Sequence, residues 1–328
     1  MTGIRVGFIG LGNVGGQLAG NLLRHGVDLT VRDLDAEREA ALVGRGARSA
    51  ATPQALARAV DLVITCLPSP AISAAVMEAP DGVLAGLAPG KIWLEMSTTD
   101  QAEARRLALR VEALGAQAMD CPVSGGCHRA ATGNISIFAG GERATFERVL
   151  PVLAILGQRI LHTGPVGSAS ALKVLTNYLC TVHLVALTEA LTTAKVAALD
   201  LNTAYEAIRI SSGNSFVHET ESQVILNGSR DINFTMDLVI KDVGLFDAMA
   251  REHRVPLELS PLVLEIFRNG AQRFGAREFS PNIIRRLEES LGVRVLADGF
   301  PQQMVDEEPK VPGYEVVPRR RAAAGPGG

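Results

Sequence analysis

Lys173 and Asn177 stand four positions apart in SALKVLTNYLC, residues 170–180, an otherwise mostly apolar stretch. On a helix that spacing gives one face, so an ammonium and an amide could point into the same cleft. Desolvation in such surroundings lowers a lysine pKa toward the range useful for proton transfer. A lysine that only lays its stem over apolar surface and reaches water fits the same spacing. A second cluster, Ser124-Gly125-Gly126, follows a strand ending at Asp120 and Pro122. A hydroxyl beside exposed glycine N–H groups at a strand's carboxyl end suits a carboxylate, and it suits a plain turn equally. No group of residues has the spacing of a metal site, and Cys66, Cys121, Cys127 and Cys180 form no Cys-x-x-Cys pair.

The elements that must position these residues begin with a short β-rich run, 4–9, that ends in glycines. Gly10-Leu11-Gly12-Asn13-Val14-Gly15 then opens a helix over 13–25, and a second strand over 28–32 ends at Asp33. Strand, glycine turn, helix and acid-ended strand form the dinucleotide fingerprint. Gly10 permits the tight turn, Gly12 admits a pyrophosphate against the backbone, and Gly15 lets helix and strand pack closely. The helix N-terminus offers free N–H groups and a positive dipole end to phosphate. Asp33 lies near the expected offset of about 20 residues and can bond the ribose hydroxyls, which favours NAD. Arg32 could pair with a 2′-phosphate and keeps NADP as the alternative, although neighbours on a strand face opposite ways.

Further strands are predicted over 61–67, 91–95, 116–120, 135–139 and 159–162, separated by helices over 36–46, 70–78, 100–114 and 142–156. That alternation argues for a parallel sheet wrapped by helices. Past TGPVG, residues 163–167, strand signals nearly vanish. One long helix is expected over 168–199, with others over 201–211, 215–226, 235–254, 259–273 and 281–291. The expected class is therefore α/β, a Rossmann-type doubly wound parallel sheet followed by a second, all-helical domain. The boundaries are 1–164 for the dinucleotide-binding domain, 165–296 for the helical substrate and dimerisation domain, and 297–328 for a Pro/Gly-rich tail without stable structure.

The gross numbers narrow the class further. Hydrophobic residues make up 47% and charged residues 20% of 328, the composition of a globular chain with a sizeable core. A formal net charge of −3 supplies no field for nucleic acid or an anionic membrane. Arg319-Arg320-Arg321 is too short a basic run to change that, and it fits a solvated terminus. The start lacks the basic and apolar regions of a signal peptide, and His183 and Glu189 interrupt the most apolar helix. A cytoplasmic protein without membrane or nucleic-acid partners is expected.

VGFIGLGNVG, LPSP, EMSTTD, DCPVSGG, GSASALKVLTNY and MDLVIKDVGLFDAMAREHRVPLEL occur here in the order seen in the β-hydroxyacid dehydrogenase family, and the chain resembles that family over about residues 4–290. The resemblance implies NAD- or NADP-dependent oxidation of a 3-hydroxy acid to its semialdehyde or keto acid by a homodimer or homotetramer. By the same resemblance Lys173 is the catalytic lysine, Asn177 its substrate-orienting neighbour, and Ser124, Gly125 and Gly126 the substrate loop. Leu67 and Pro68 flank the cofactor, Ser97 and Thr98 lie near the nicotinamide ribose, and Lys241 and Asp242 close from the helical domain. The sequence departs from the pattern after Ser-Gly-Gly, where the family usually has a further glycine and an alanine. Cys127-His128-Arg129 stands there instead, and His128 or Arg129 is expected either to contact a polar or anionic substrate group or to face solvent. Rival functions are imine reduction, NADPH-dependent semialdehyde reduction and a non-enzymatic cofactor-binding scaffold. Retention of Lys173 and Asn177 weighs against the first and the last.

Overall fold

In the computed structural model, which describes residues 3–319, the first strand, β1 (Val6–Ile9), sends Val6 and Phe8 into one core and Ile9 into another. Side chains alternate along a strand, so apolar residues in succession mean that both faces are covered. β2 (Leu29–Arg32), β3 (Arg48–Ser49), β4 (Leu62–Thr65), β5 (Ile92–Glu95) and β6 (Gln117–Asp120) join β1 in parallel. After these come β7 (Val123–Ser124), β8 (Ser136–Gly140), β9 (Arg159–Gly164) and β10 (Tyr314–Glu315). The order across the sheet is β10-β9-β8-β6-β5-β4-β1-β2-β3, with β7 paired to β8. β1 thus has β2 on one side and β4 on the other, the reversal of order at which open α/β sheets hold ligands.

The sheet is not wholly parallel, as the alternation suggested. β8 runs antiparallel to β6 and to β7. Past Asp120 the chain runs on through β7 and α6, and β8 then returns along β7 and the end of β6. β9 and β10 then continue parallel to β8.

The helices packed on the sheet are α1 (Gly15–Arg24), α2 (Ala36–Val43), α3 (Pro53–Ala59), α4 (Pro70–Glu78), α5 (Gln101–Glu112), α6 (Gly126–Thr132) and α7 (Arg143–Leu156). The sequence reading missed α3 and α6. α3 carries a readable start, since the Thr52 hydroxyl accepts from Ala55 N–H ahead of Pro53. α6 is only a seven-residue helix with no side-chain cap, ended by left-handed Gly133. Six helices follow: α8 (Ser168–Val196), α9 (Leu201–Arg209), α10 (Phe216–Asn227), α11 (Met236–Glu252), α12 (Leu259–Phe274) and α13 (Arg285–Leu291). Leu184, Leu187 and Leu191 of α8 pack with Ile225, Val239, Val243 and Phe267 in a separate core. α8 is long and apolar enough to cross a membrane by length and composition, yet part of its circumference is filled by α10, α11 and α12.

The C-terminal segment departs from its expected lack of structure. Tyr314–Glu315 adds a strand beside β9, with Tyr314 N–H on Gln158 O at 2.8 Å and Val316 N–H on Ile160 O at 2.7 Å. Arg143 holds Glu315 at 2.6 Å, and Arg159 holds Glu308 at 2.5 Å. Composition alone undervalues such a segment, because the arginines that pair with it lie far away in sequence. Arg320 and Arg321 of the basic run lie outside the described residues.

Candidate active site

The dinucleotide turn is held by backbone. Gly10 has φ +94°, and a Cβ there would lie 2.3 Å from Cys66 O on the β4 side. A Cβ on Gly15 would lie 2.0 Å from Gly10 O, so both positions require glycine. Leu11 turns its side chain into the sheet core and donates its N–H to the Asp33 carboxylate. Asp33 also accepts from Asp35 N–H at 2.8 Å, which fixes it at the carboxyl end of β2. α1 begins at Val14 with no side-chain cap and no acid in its first turn. A phosphate is the group such an uncapped N-terminus accepts, so these residues fit a dinucleotide. Asn13 reaches across to the helical domain, donating to the Asn233 side chain at 3.1 Å.

Arg32 is held by an acid. Its guanidinium lies 3.2 Å from Glu39, whose carboxylate also accepts from Asp33 N–H at 3.0 Å. The cation that might have met a 2′-phosphate therefore faces a carboxylate already in place.

The turns after β4 and β5 are tied together below the cofactor-binding edge. Ser97, almost fully buried, accepts from Leu67 N–H at 2.7 Å and receives its own position from Glu95, which accepts Ser97 N–H at 2.8 Å. Burial raises the Glu95 carboxyl, so the uncharged form is favoured. Ser97 thus braces Leu67 and Pro68 through its hydroxyl, while Thr98 contributes a carbonyl.

That carbonyl is the end of a hydrogen-bonded chain that starts on α8. Lys173 Nζ donates to Asn177 Oδ1 at 2.8 Å, and Asn177 Nδ2 donates to Asp242 Oδ2 at 2.5 Å. Lys241 Nζ lies 2.5 Å from Asp242 Oδ1 and donates to Thr98 O at 3.3 Å. Lys173 is 7% exposed, so it does not reach for solvent. Burial lowers its pKa from the ordinary value, Asp242 and then Cys180 oppose that, and Lys241 adds to it. The result is a buried amine of reduced basicity whose direction is set by an amide, itself set by a carboxylate.

α8 is anchored to the sheet by a residue that the sequence reading did not single out. Asp120, at the end of β6, accepts from Gly167 N–H at 2.8 Å, from Ser170 N–H at 2.7 Å and from the Ser170 hydroxyl at 2.8 Å. Ser170 lies one helical turn before Lys173, so Asp120 fixes the start of the helix that carries the amine. Its position just ahead of Pro122 and Ser124 was the available signal.

Ser124 occupies β7, paired with Ser136, and Gly125 and Gly126 follow at φ +131° and +84°. Arg129 does not point free. It forms an ion pair with Glu308 at 3.1 Å, and its guanidinium carbon lies 4.9 Å from the Phe216 ring centre. His128 is partly buried, and that burial lowers its pKa. Arg129 thus does not simply face solvent, because it is paired within the chain. Among the described residues no cluster of His, Cys, Asp or Glu could hold a metal.

Known proteins match most of the chain. The family profile described as the NAD binding domain of 6-phosphogluconate dehydrogenase matches residues 5–164. The profile described as NAD-binding of NADP-dependent 3-hydroxyisobutyrate dehydrogenase matches 167–287. A 2-(hydroxymethyl)glutarate dehydrogenase of Eubacterium barkeri is 35% identical over 293 residues, 89% of this chain and 97% of that protein. An NAD-dependent L-serine dehydrogenase of Pseudomonas aeruginosa is 32% identical over 284 residues, 84% of this chain and 95% of its own length. Among solved structures, 3-hydroxyisobutyrate dehydrogenase from Salmonella typhimurium superimposes with a TM-score of 0.79 at 30% identity, covering 86% of this chain and 99% of that one.

Proposed function

The chain belongs to the β-hydroxyacid dehydrogenase family, and from that premise we propose that it catalyses the reversible NAD-dependent oxidation of a 3-hydroxy acid to its semialdehyde or keto acid. The observation that carries the reading is the hydrogen-bonded chain from Lys173 to the Thr98 carbonyl. It sets a buried amine of lowered basicity beside the carboxyl ends of the strands, where a dinucleotide binds in open α/β sheets.

Bound NAD supplies the acceptor for hydride from the carbinol carbon. Lys173 takes the hydroxyl proton as the hydride leaves and returns it in the reductive direction. Asn177 has its oxygen on Lys173 and one N–H on Asp242, so it aims the amine and has a single N–H left for the substrate oxygen. Ser124 and the N–H groups of Gly125 and Gly126 hold the substrate carboxylate. NAD is preferred over NADP because the Asp33 carboxylate puts negative charge where a 2′-phosphate would lie and Glu39 already neutralises Arg32. The named substrates of the two relatives, 2-(hydroxymethyl)glutarate and L-serine, both join a hydroxymethyl group to the carbon bearing a carboxylate. That pairing is the substrate class we assign.

The test is a panel of 3-hydroxyisobutyrate, L-serine and 2-(hydroxymethyl)glutarate with each dinucleotide, followed at the nicotinamide absorbance band. Turnover of at least one acid, with kcat/KM about tenfold higher for NAD, is expected. No turnover of any of them sinks the reading. We also propose a homodimer through α8, where Leu172, Leu175 and Leu179 are 37%, 39% and 44% exposed along one face. Light scattering that finds a monomer at micromolar concentration overturns that part.

A further inference from the structure

Two features stand outside the reaction as described: the residues that follow Ser-Gly-Gly, and the C-terminal segment that closes against them. They meet. A Cβ built on Gly125 would lie 3.1 Å from the Arg129 side chain, and one on Gly126 would lie 2.9 Å from the His128 ring. Each glycine of the substrate loop therefore has one of these side chains packed on its Cα. Behind them lies the segment 301–319. Glu308 pairs with Arg129, and Asp306 stands two residues before Glu308 in the same acidic stretch. Asp306 also accepts from Asn134 Nδ2 at 2.8 Å and from the Thr132 hydroxyl, and the Glu308 carbonyl accepts from Asn134 Nδ2 at 2.7 Å. The middle of α6 and its C-terminal end are thereby tied to one short acidic stretch.

We propose that Asp306 and Glu308 are positioning residues for substrate binding, acting through Arg129 and the C-terminal end of α6 to set the shape of the Gly125-Gly126 loop. The usual glycine and alanine after Ser-Gly-Gly would offer no side chain to brace from behind. His128 and Arg129 offer two, and Glu308 supplies the charge opposite Arg129. The second family profile ends at residue 287, so this brace lies beyond the matched portion of the chain. Arg129 also rests on Phe216 at the start of α10, so the loop is referenced to the helical domain that carries Lys173. The Glu308 carboxylate is shared with Arg159 of β9, which keeps the brace fixed to the sheet.

The inference rests on the reading of Ser124–Gly126 as the carboxylate loop, and the test separates the two. Wild type, Glu308→Gln, the pair Asp306→Asn with Glu308→Gln, and Glu308→Asp are compared on the full chain. Hydrogen exchange on peptides covering 124–132 reports the loop without any substrate, and KM and kcat are measured with 3-hydroxyisobutyrate, L-serine and 2-(hydroxymethyl)glutarate. Expected are faster loop exchange and a KM about tenfold higher in the double variant, with kcat and NAD affinity within about twofold. Glu308→Asp should recover most of the KM. Arg143→Gln, which loosens only the Glu315 end of the segment, should leave loop exchange and KM unaltered. Unchanged loop exchange overturns the proposal, as does faster exchange with an unchanged KM, which would reduce the segment to a stabilising clasp. If the wild type turns over none of the acids, the functional reading fails, and loop exchange still decides whether the brace exists.

Discussion

Around the glycine turn the groups that meet the cofactor site are mostly backbone, whereas around Lys173 they are side chains drawn from α8 and α11. Gly10, Gly12 and Gly15 act by what they lack, and their neighbours are a few residues away or on the adjacent strand. Lys173, Asn177, Asp242 and Lys241 act by what they carry, and their contacts join residues far apart in the chain. Backbone donors do not titrate and cannot be repositioned by a charge, but they fail when volume is added. A side-chain cluster tolerates volume better, and its function depends on protonation and on each partner's presence. The two halves should therefore break differently.

The sharpest break comes from Lys173→Ala. Removing the amine that begins the hydrogen-bonded chain should lower kcat by about 10²- to 10⁴-fold, the range for loss of a general acid or base. NADH affinity, read by fluorescence, should stay within about threefold, because the dinucleotide turn is built elsewhere. Turnover near that of the wild type would refute the role given to this lysine.

Gly15→Ala is the mirror experiment. The added methyl carbon must displace Gly10 O from 2.0 Å, and overpacking of this kind costs about 2 kcal/mol. Weakening of NADH binding by about 30-fold follows if the cost falls on the binding-competent turn. The pH dependence of kcat should be unaltered, since no titrating group has moved. A variant that binds NADH normally would show that the turn can relax without loss.

Asp242→Asn tests the coupling inside the side-chain half. The Asp242 carboxylate raises the Lys173 pKa against burial, so its removal lowers that pKa further. Oxidation needs the unprotonated amine and rises with pH through the lysine pKa. The rising limb of kcat/KM should accordingly move to lower pH, with a loss of about tenfold at the optimum as Asn177 loses a charged acceptor. A limb that stays where it is would mean that Lys173 does not set it.

The same division explains what could be read from sequence. The dinucleotide turn was legible because glycine spacing, strand and helix are all local, and β1, α1 and β2 appear where expected within the usual end fraying. Lys173 and Asn177 were legible as a helical pair, although the i+4 spacing says nothing of Asp242, which completes the pair from α11. Asp120 and Glu95 escaped notice because a lone acid at a strand end has no pattern until Ser170 or Ser97 is folded against it. The antiparallel β8 was hidden by a run of strand and helix signals that does not encode direction. The pairing of Arg129 with Glu308 could not be read, because the two are far apart in the chain.

The smallest effect on the reaction should come from Glu221→Gln, and it sharpens the contrast at the level of stability. Glu221, on α10, is 7% exposed, with the Thr220 hydroxyl donating to it at 2.9 Å. Burial pushes its carboxyl up to about 7. An acid whose folded pKa is raised binds its proton more tightly in the native state than in the unfolded one. Stability is then fully present below about 4.5 and is lost as pH rises toward about 7, above which it levels off. At about 1.4 kcal/mol per pKa unit the loss is on the order of 3 kcal/mol. The amide variant carries no such proton, so its melting temperature should change less between about pH 5 and pH 8, roughly the window the linkage sets. Turnover should be unaltered, because Glu221 makes no contact with the chain from Lys173 to Thr98. Parallel melting curves for wild type and variant across that range would mean that the carboxyl is charged in place, and that the helical half, like the backbone half, is indifferent to pH away from its lysine.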